Sequence, residues 1–223
     1  MKNKTLKLVC GFALLGAMVT VNAQSIIPSG VQQNVAISTV TGAWGWTIAY
    51  EDTYANPSVS IATMFANVPT GDYVMLAAAP VGSSTFTLLA AALQSDVQTY
   101  TPINTPHAAN GAEWYYNGYS IGFAGLGDSI NQFEADTASA DAANRLSWHA
   151  GIGAAKFSQF DPSQVPQYVY GGWRAGAAMG LNDDSTWNRF VLYGSLTPTP
   201  EPSTMAMSVM GGLGGLLMFR RRK

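Results

Sequence analysis

The chain has 223 residues and a formal net charge of −2, with 48% hydrophobic and only 11% charged residues. An average globular chain is about 25% charged, so this composition excludes a charged disordered tail protein and a coiled coil. The 23 glycines have no three-residue period, which excludes collagen, and the length suits one domain with short appendages.

In chain order, Lys2, Lys4 and Lys7 precede an apolar run over 8–21, and Val21-Asn22-Ala23 follows with small residues at the −3 and −1 positions. This is the pattern of a secretory signal peptide, with cleavage expected after Ala23. Cys10 is the only cysteine and lies inside that segment. The exported protein therefore has no disulfide, no thiolate metal site and no thiol nucleophile.

The body of the chain, 24–196, has mostly two-residue periodicity. Residues 31–40 and 43–50 are rich in β-branched and aromatic residues. Residues 58–65 alternate through Val59, Ile61, Thr63 and Phe65, and 72–79 form the continuous apolar run of a buried strand. Residues 85–97 read as a strand ending in a turn. Over 113–124, two alternating runs flank Asn117-Gly118, which predicts a hairpin with a type I′ turn. Further strands are expected over 145–152, 168–175 and 187–196, with a turn at 181–185 and long loops over 104–112 and 126–144. Eight to ten short strands with glycine-rich turns predict an all-β fold, a single β-sandwich or jelly-roll-like domain.

Residues 24–199 hold four basic residues (Arg145, Lys156, Arg174, Arg189) against twelve acidic ones, a net −8. Affinity for nucleic acid comes from cations on phosphate, so nucleic acid is excluded as a partner. Histidine is limited to His107 and His149, which make no zinc signature, and no nucleophile elbow or phosphate-binding glycine motif is present. His149 would act as a base only beside a carboxylate such as Glu113 or Asp136. No catalytic residue and no required cofactor are assigned. Asp128, Glu134, Asp136 and Asp141 crowd one loop and are the candidate ligands of a structural calcium, although no EF-hand ladder is present. All six tryptophans and ten tyrosines fall within 44–193. Trp114, Tyr116, Trp148 and Trp173 are the candidate residues for stacking on sugar rings; the competing expectation is that they fill the core.

The C-terminal 197–223 begin with alternating prolines, which hold the chain extended. Residues 203–219 would make a helix of about 26 Å, a short membrane span against a hydrocarbon core of about 30 Å. Arg220, Arg221, Arg222 and Lys223 close the chain and would stay cytoplasmic, leaving the domain outside. The order Pro200-Glu201-Pro202, glycine-bearing apolar helix and terminal basic cluster resembles the PEP-CTERM sorting signal of bacterial envelope and exopolymer-associated proteins. That resemblance implies an exosortase-type processing enzyme as a partner and transient residence in the inner membrane. Release or attachment in the cell envelope or extracellular matrix would follow.

Asn110-Gly111, Trp114-Tyr115-Tyr116, Gly122-Phe123-Ala124, Arg145-Leu146-Ser147-Trp148-His149, Gly172-Trp173-Arg174 and Leu181-Asn182 also resemble cores that recur beside such tails. This supports domain identity and not mechanism. The expected function is a non-enzymatic matrix protein associated with exopolysaccharide. The alternatives are an extracellular carbohydrate-active hydrolase and a calcium-dependent surface adhesion module.

Overall fold

The computed structural model describes residues 24–56, 58–130, 142–155 and 160–195. The expected signal peptide over 1–23 and sorting tail over 197–223 lie outside the described residues. Ala23–Pro198 form one compact unit. Among the described residues no helix is long and apolar enough to cross a membrane.

Thirteen strands occur among the described residues: β1 (Gln32–Ala36), β2 (Thr47–Thr53), β3 (Val59–Ser60), β4 (Tyr73–Pro80), β5 (Thr85–Leu93), β6 (His107–Ala109), β7 (Ala112–Tyr116), β8 (Ser120–Gly125), β9 (Leu146–Gly151), β10 (Tyr168–Val169), β11 (Arg174–Ala175), β12 (Ala178–Met179) and β13 (Trp187–Gly194). All pairings are antiparallel. One sheet has the order β1-β5-β4-β13-β2. The other runs β12-β11-β9-β8-β7-β6, with β10 joining β9 to β3. The chain is all-β, as expected. From β6 to β9, neighbours in sequence are neighbours in the sheet, so this half is a meander and not the Greek-key path of a jelly roll.

A single apolar cluster joins the two sheets. Val74, Leu76, Ala78, Leu88, Ala90 and Val191 of the first share it with Trp114, Phe123, Leu146 and Trp148 of the second. The first sheet is buried on its other face as well. There Met75, Ala77, Leu89, Phe190 and Leu192 meet Val40 and Trp46, with Ile27, Val35 and Ile37 packed beside them. Covering both faces explains why β4 reads as a continuous apolar run instead of an alternating one. Each large aliphatic side chain so buried contributes about 1.5–3 kcal/mol.

Several local expectations are corrected. Residues 58–65 are not a strand throughout: β3 ends at Ser60, which caps a short helix over Ile61–Met64 by accepting the Thr63 N–H at 3.0 Å. Ile61 and Met64 share its buried face. The span 31–40 gives only β1 before a π-helical turn at Thr39–Ala43. The expected loop over 104–112 contains β6, because His107 pairs with Trp114 across β7. The 168–175 segment is split into β10 and β11.

The 113–124 hairpin is present, but its turn is displaced by one residue. Tyr116 pairs with Ile121 and the Asn117 N–H donates to the Ser120 carbonyl at 3.0 Å, so Gly118-Tyr119 are the central residues. Neither Asn117 nor Gly118 has positive φ, and the type I′ expectation fails. Asn117 Oδ1 instead accepts from the Tyr119 and Ser120 amides at 3.0 and 3.2 Å.

Buried Tyr54 and Tyr116 and half-buried Tyr50 set the alkaline limit of the fold. Burial pushes Tyr116 up to about 12 and, against the lowering field of Arg189, pushes Tyr50 up to about 12; burial raises Tyr54 as well. An unfolded tyrosine ionises near pH 10. The folded state therefore keeps its full advantage below about pH 10 and loses it as pH rises to about 12, with Tyr116 alone contributing on the order of 2 kcal/mol. Thermal unfolding from pH 9 to 12, followed together with tyrosinate absorbance, should show the melting temperature falling steeply only above about pH 10. A melting temperature unchanged to pH 12 would refute the assignment.

Candidate ligand-binding face

Strand alternation divides the candidate aromatic residues between two faces. On β7, β8 and β9, Trp114, Tyr116, Ile121, Phe123, Leu146 and Trp148 point into the inter-sheet core. Trp114, Tyr116 and Trp148 are at most 4% exposed, and their polar atoms are used internally. Trp114 Nε1 donates to the Ala109 carbonyl at 3.1 Å, Tyr116 Oη to the Pro166 carbonyl at 3.2 Å, and Trp148 Nε1 to Tyr54 Oη at 2.9 Å. These three residues offer no ring face to a sugar, which corrects the expectation for them. Trp173 differs: it is half-buried, and its Nε1 is buried without a hydrogen-bond partner among the described residues.

Trp173 ends a row of rings on the opposite, outward face of the second sheet. His149 alternates with the buried Trp148 and so points outward, its ring centroid 6.3 Å from that of Trp173. Phe160 lies 5.9 Å from His149 and stacks on Tyr119 at 4.9 Å and 27°. Tyr119, His149, Phe160 and Trp173 are all half-buried. Tyr170, fully buried, supports the row edge-on to Phe160 at 5.9 Å and 90°, with its hydroxyl on the Gly153 carbonyl.

Two close approaches build this row. Gly118 forms a bridge with Asp161, and the Asp161 N–H donates to the Gly118 carbonyl at 3.2 Å, which seats Phe160 beside Tyr119. A methyl at Gly118 would overlap the Asp161 carbonyl oxygen. The Asp161 carboxylate organises its own turn by accepting from the Ser163 hydroxyl and amide and from the Gln164 amide. These bonds hold its carboxyl below the usual range. At the other end, Gly172 leaves room for Tyr54 and Trp148 beneath it.

Sequence reasoning found Trp173 but not Tyr119, His149 or Phe160 as members of one surface. The tight 117–120 turn was the available signal for Tyr119. Phe160 carried none, because its place depends on a bridge between residues 43 apart in the chain.

The structure does not join His149 to Glu113. His149 pairs with Ser120 and Glu113 with Ala124, four positions apart along β8, or about 13 Å. Glu113 instead accepts the Gly127 N–H at 3.0 Å. Among the described residues no group of three His, Cys, Asp or Glu stands together as metal ligands. Asp128 follows β8, its N–H bonded to the Gly125 carbonyl at 3.0 Å. Glu134, Asp136 and Asp141 lie outside the described residues, as does Lys156.

Residues 198–223 match the PEP-CTERM protein-sorting motif. The chain is therefore a secreted protein sorted by an exosortase, bound for the cell envelope or the extracellular space. Pro200, Glu201 and Pro202 fall within the matched segment, as do Arg220, Arg221, Arg222 and Lys223. No curated protein and no solved structure matches the chain.

Proposed function

We propose that the protein is a non-enzymatic component of the extracellular matrix that associates with exopolysaccharide through the outward ring row. Four half-buried rings in series, Tyr119, Phe160, His149 and Trp173, carry this reading. Such rings present apolar faces to the C–H faces of sugar rings. The net −8 of residues 24–199 favours a neutral polymer over a polyanionic one. In this reading the chain is exported by its signal peptide, cleaved after Ala23, and held by the helix over 203–219 until an exosortase-type enzyme acts at Pro200-Glu201-Pro202. The terminal basic cluster keeps that helix from passing through the inner membrane before processing.

Binding of the full chain to exopolysaccharide purified from the producing cells tests the reading. Saturable binding is expected. Changing Trp173 and Phe160 to alanine should weaken it by about tenfold to a hundredfold, equivalent to about 1.4–2.8 kcal/mol. Absence of binding by the folded wild-type protein would sink the polymer association. Polymer shortening during the assay would favour the hydrolase alternative, and loss of binding with a calcium chelator would favour the adhesion alternative.

A further inference from the structure

The two ends of the domain meet. Ser25, the second residue beyond the cleavage expected after Ala23, is buried, whereas Gln24 is exposed. The Ser25 N–H donates to the Ser195 carbonyl at 3.0 Å, and the Ser195 N–H donates to Ser25 Oγ at 3.2 Å. Ser25 Oγ in turn donates to the Gly45 carbonyl at 3.0 Å. The amide and the hydroxyl of Ser25 are thus both committed inside the domain. Gly194 makes this approach possible: a Cβ there would come within 2.9 Å of the Ser25 side chain and 3.0 Å of the Trp46 ring.

The bonding continues along the chain. The Ile26 N–H donates to the Trp44 carbonyl at 2.9 Å, and the buried Trp46 donates from Nε1 to the Ile26 carbonyl at 2.8 Å. Asn110, in the turn between β6 and β7, donates from Nδ2 to the Pro28 carbonyl at 2.8 Å and accepts the Gly30 N–H at 2.7 Å. Residues 25–30 therefore form a strap from the end of β13 to the β6–β7 turn. An endopeptidase lays its substrate out as an extended strand and bonds the backbone on both sides of the scissile peptide. With the strap docked, the backbone just past the Ala23–Gln24 peptide already has its partners in the domain. Docking of the strap and entry of this peptide into a protease cleft exclude each other.

We infer that the strap is a clasp that fixes the order of maturation. An endopeptidase removes the leader while residues 24–30 are undocked, and the clasp then closes on Ser195. This inference rests on the proposed cleavage after Ala23 and is independent of polymer binding. Hydrolysis of the Ala23–Gln24 peptide consumes one water and leaves a carboxyl on Ala23 and an amine on Gln24. Gln24 is exposed, so the new amine stays in solvent beside the closed clasp. A chain that folds with its leader attached is a poor substrate, because the bonds of Ser25 and Ile26 have to break before the peptide can be cut.

The test is the initial rate at which a bacterial leader peptidase cuts the full unprocessed chain in detergent, with the cleavage site read by mass. The chain is either refolded beforehand or diluted from urea straight into the enzyme. The refolded wild type should be cut after Ala23 at least about tenfold more slowly than the chain from urea. Gly194→Ala pushes Ser25 away without altering any residue near the scissile peptide, and the refolded variant should be cut faster than the refolded wild type. Trp46→Phe keeps a ring, loses the bond to Ile26 and should fall between; it decides the matter if Gly194→Ala fails to fold. Equal rates for the refolded and the urea-diluted wild type overturn the clasp and leave the cleavage reading standing. Refolded Gly194→Ala and Trp46→Phe cut as slowly as the refolded wild type also overturn it. If the chain from urea is not cut after Ala23, the cleavage reading itself fails, and the clasp falls with it.

Discussion

Replacing Trp148 by alanine should lower the melting temperature of the domain by about 6–20 °C. Trp148 is fully buried on β9 between the sheets, and its Nε1 is the donor to the Tyr54 hydroxyl at 2.9 Å. Truncating a buried tryptophan costs about 3–5 kcal/mol, and the Tyr54 hydroxyl loses its donor as well. For a domain of this size each kcal/mol corresponds to about 2–4 °C. The loss is a large share of a total stability of about 5–15 kcal/mol. Trp148→Phe should fall between, since it keeps most of the apolar volume and loses the hydrogen bond. Thermal unfolding followed by circular dichroism is the measurement. A drop of less than about 3 °C for Trp148→Ala would mean that the inter-sheet core is not organised around this side chain.

Gly122→Ala should destabilise by about 3 kcal/mol or more although it adds one methyl group. Gly122 lies on β8 between Tyr115 of β7 and Ser147 of β9. A Cβ there would overlap the Leu146 carbonyl oxygen and come within 2.8 Å of the Tyr115 hydroxyl. That hydroxyl is itself hydrogen-bonded to the Leu146 carbonyl, so the methyl group displaces both partners at once. Overpacking a filled site typically costs about 1–3 kcal/mol, and here the obstacle includes backbone, which cannot rotate away. Gly127→Ala makes a useful control: a Cβ there meets no atom within 4 Å, but φ is +82°, so it reports backbone strain alone. Equal losses for the two variants in the same melting experiment would argue against the steric account.

The two faces of the second sheet carry different side-chain chemistry. The inward side of β7, β8 and β9 is filled by large aromatics whose polar atoms are satisfied internally. The outward side carries the half-buried rings around Phe160 and the arginine pair near Tyr115. Glycine at 118 and 172 allows the chain to approach closely where the row is assembled, and glycine at 122 does the same beside Tyr115.

The one-dimensional pattern was sufficient wherever burial is set along the chain. The run over 72–79 has to be a strand covered on both faces, because such a continuous apolar segment has no side to give to water. The hairpin around Asn117-Gly118 was legible from turn chemistry. So was the C-terminal motif, because a sorting signal is read by another protein as a linear segment and needs no fold. Tertiary contact decided the rest. Ser60 ends β3 by capping a helix whose Ile61 and Met64 are buried. The turn at 117–120 shifts by one residue, with Asn117 Oδ1 accepting from the Tyr119 and Ser120 amides and Gly118 bridging Asp161. Trp114 and Trp148 point inward and Trp173 outward, although all three are tryptophans in β-rich segments. By itself the sequence determined the class of fold and the destination of the protein, which depend on composition, period and linear order. Only the tertiary structure decided which aromatic side chains are buried between the sheets and which lie on the outward face, because the side of a sheet on which a residue lies depends on register with strands distant in the chain.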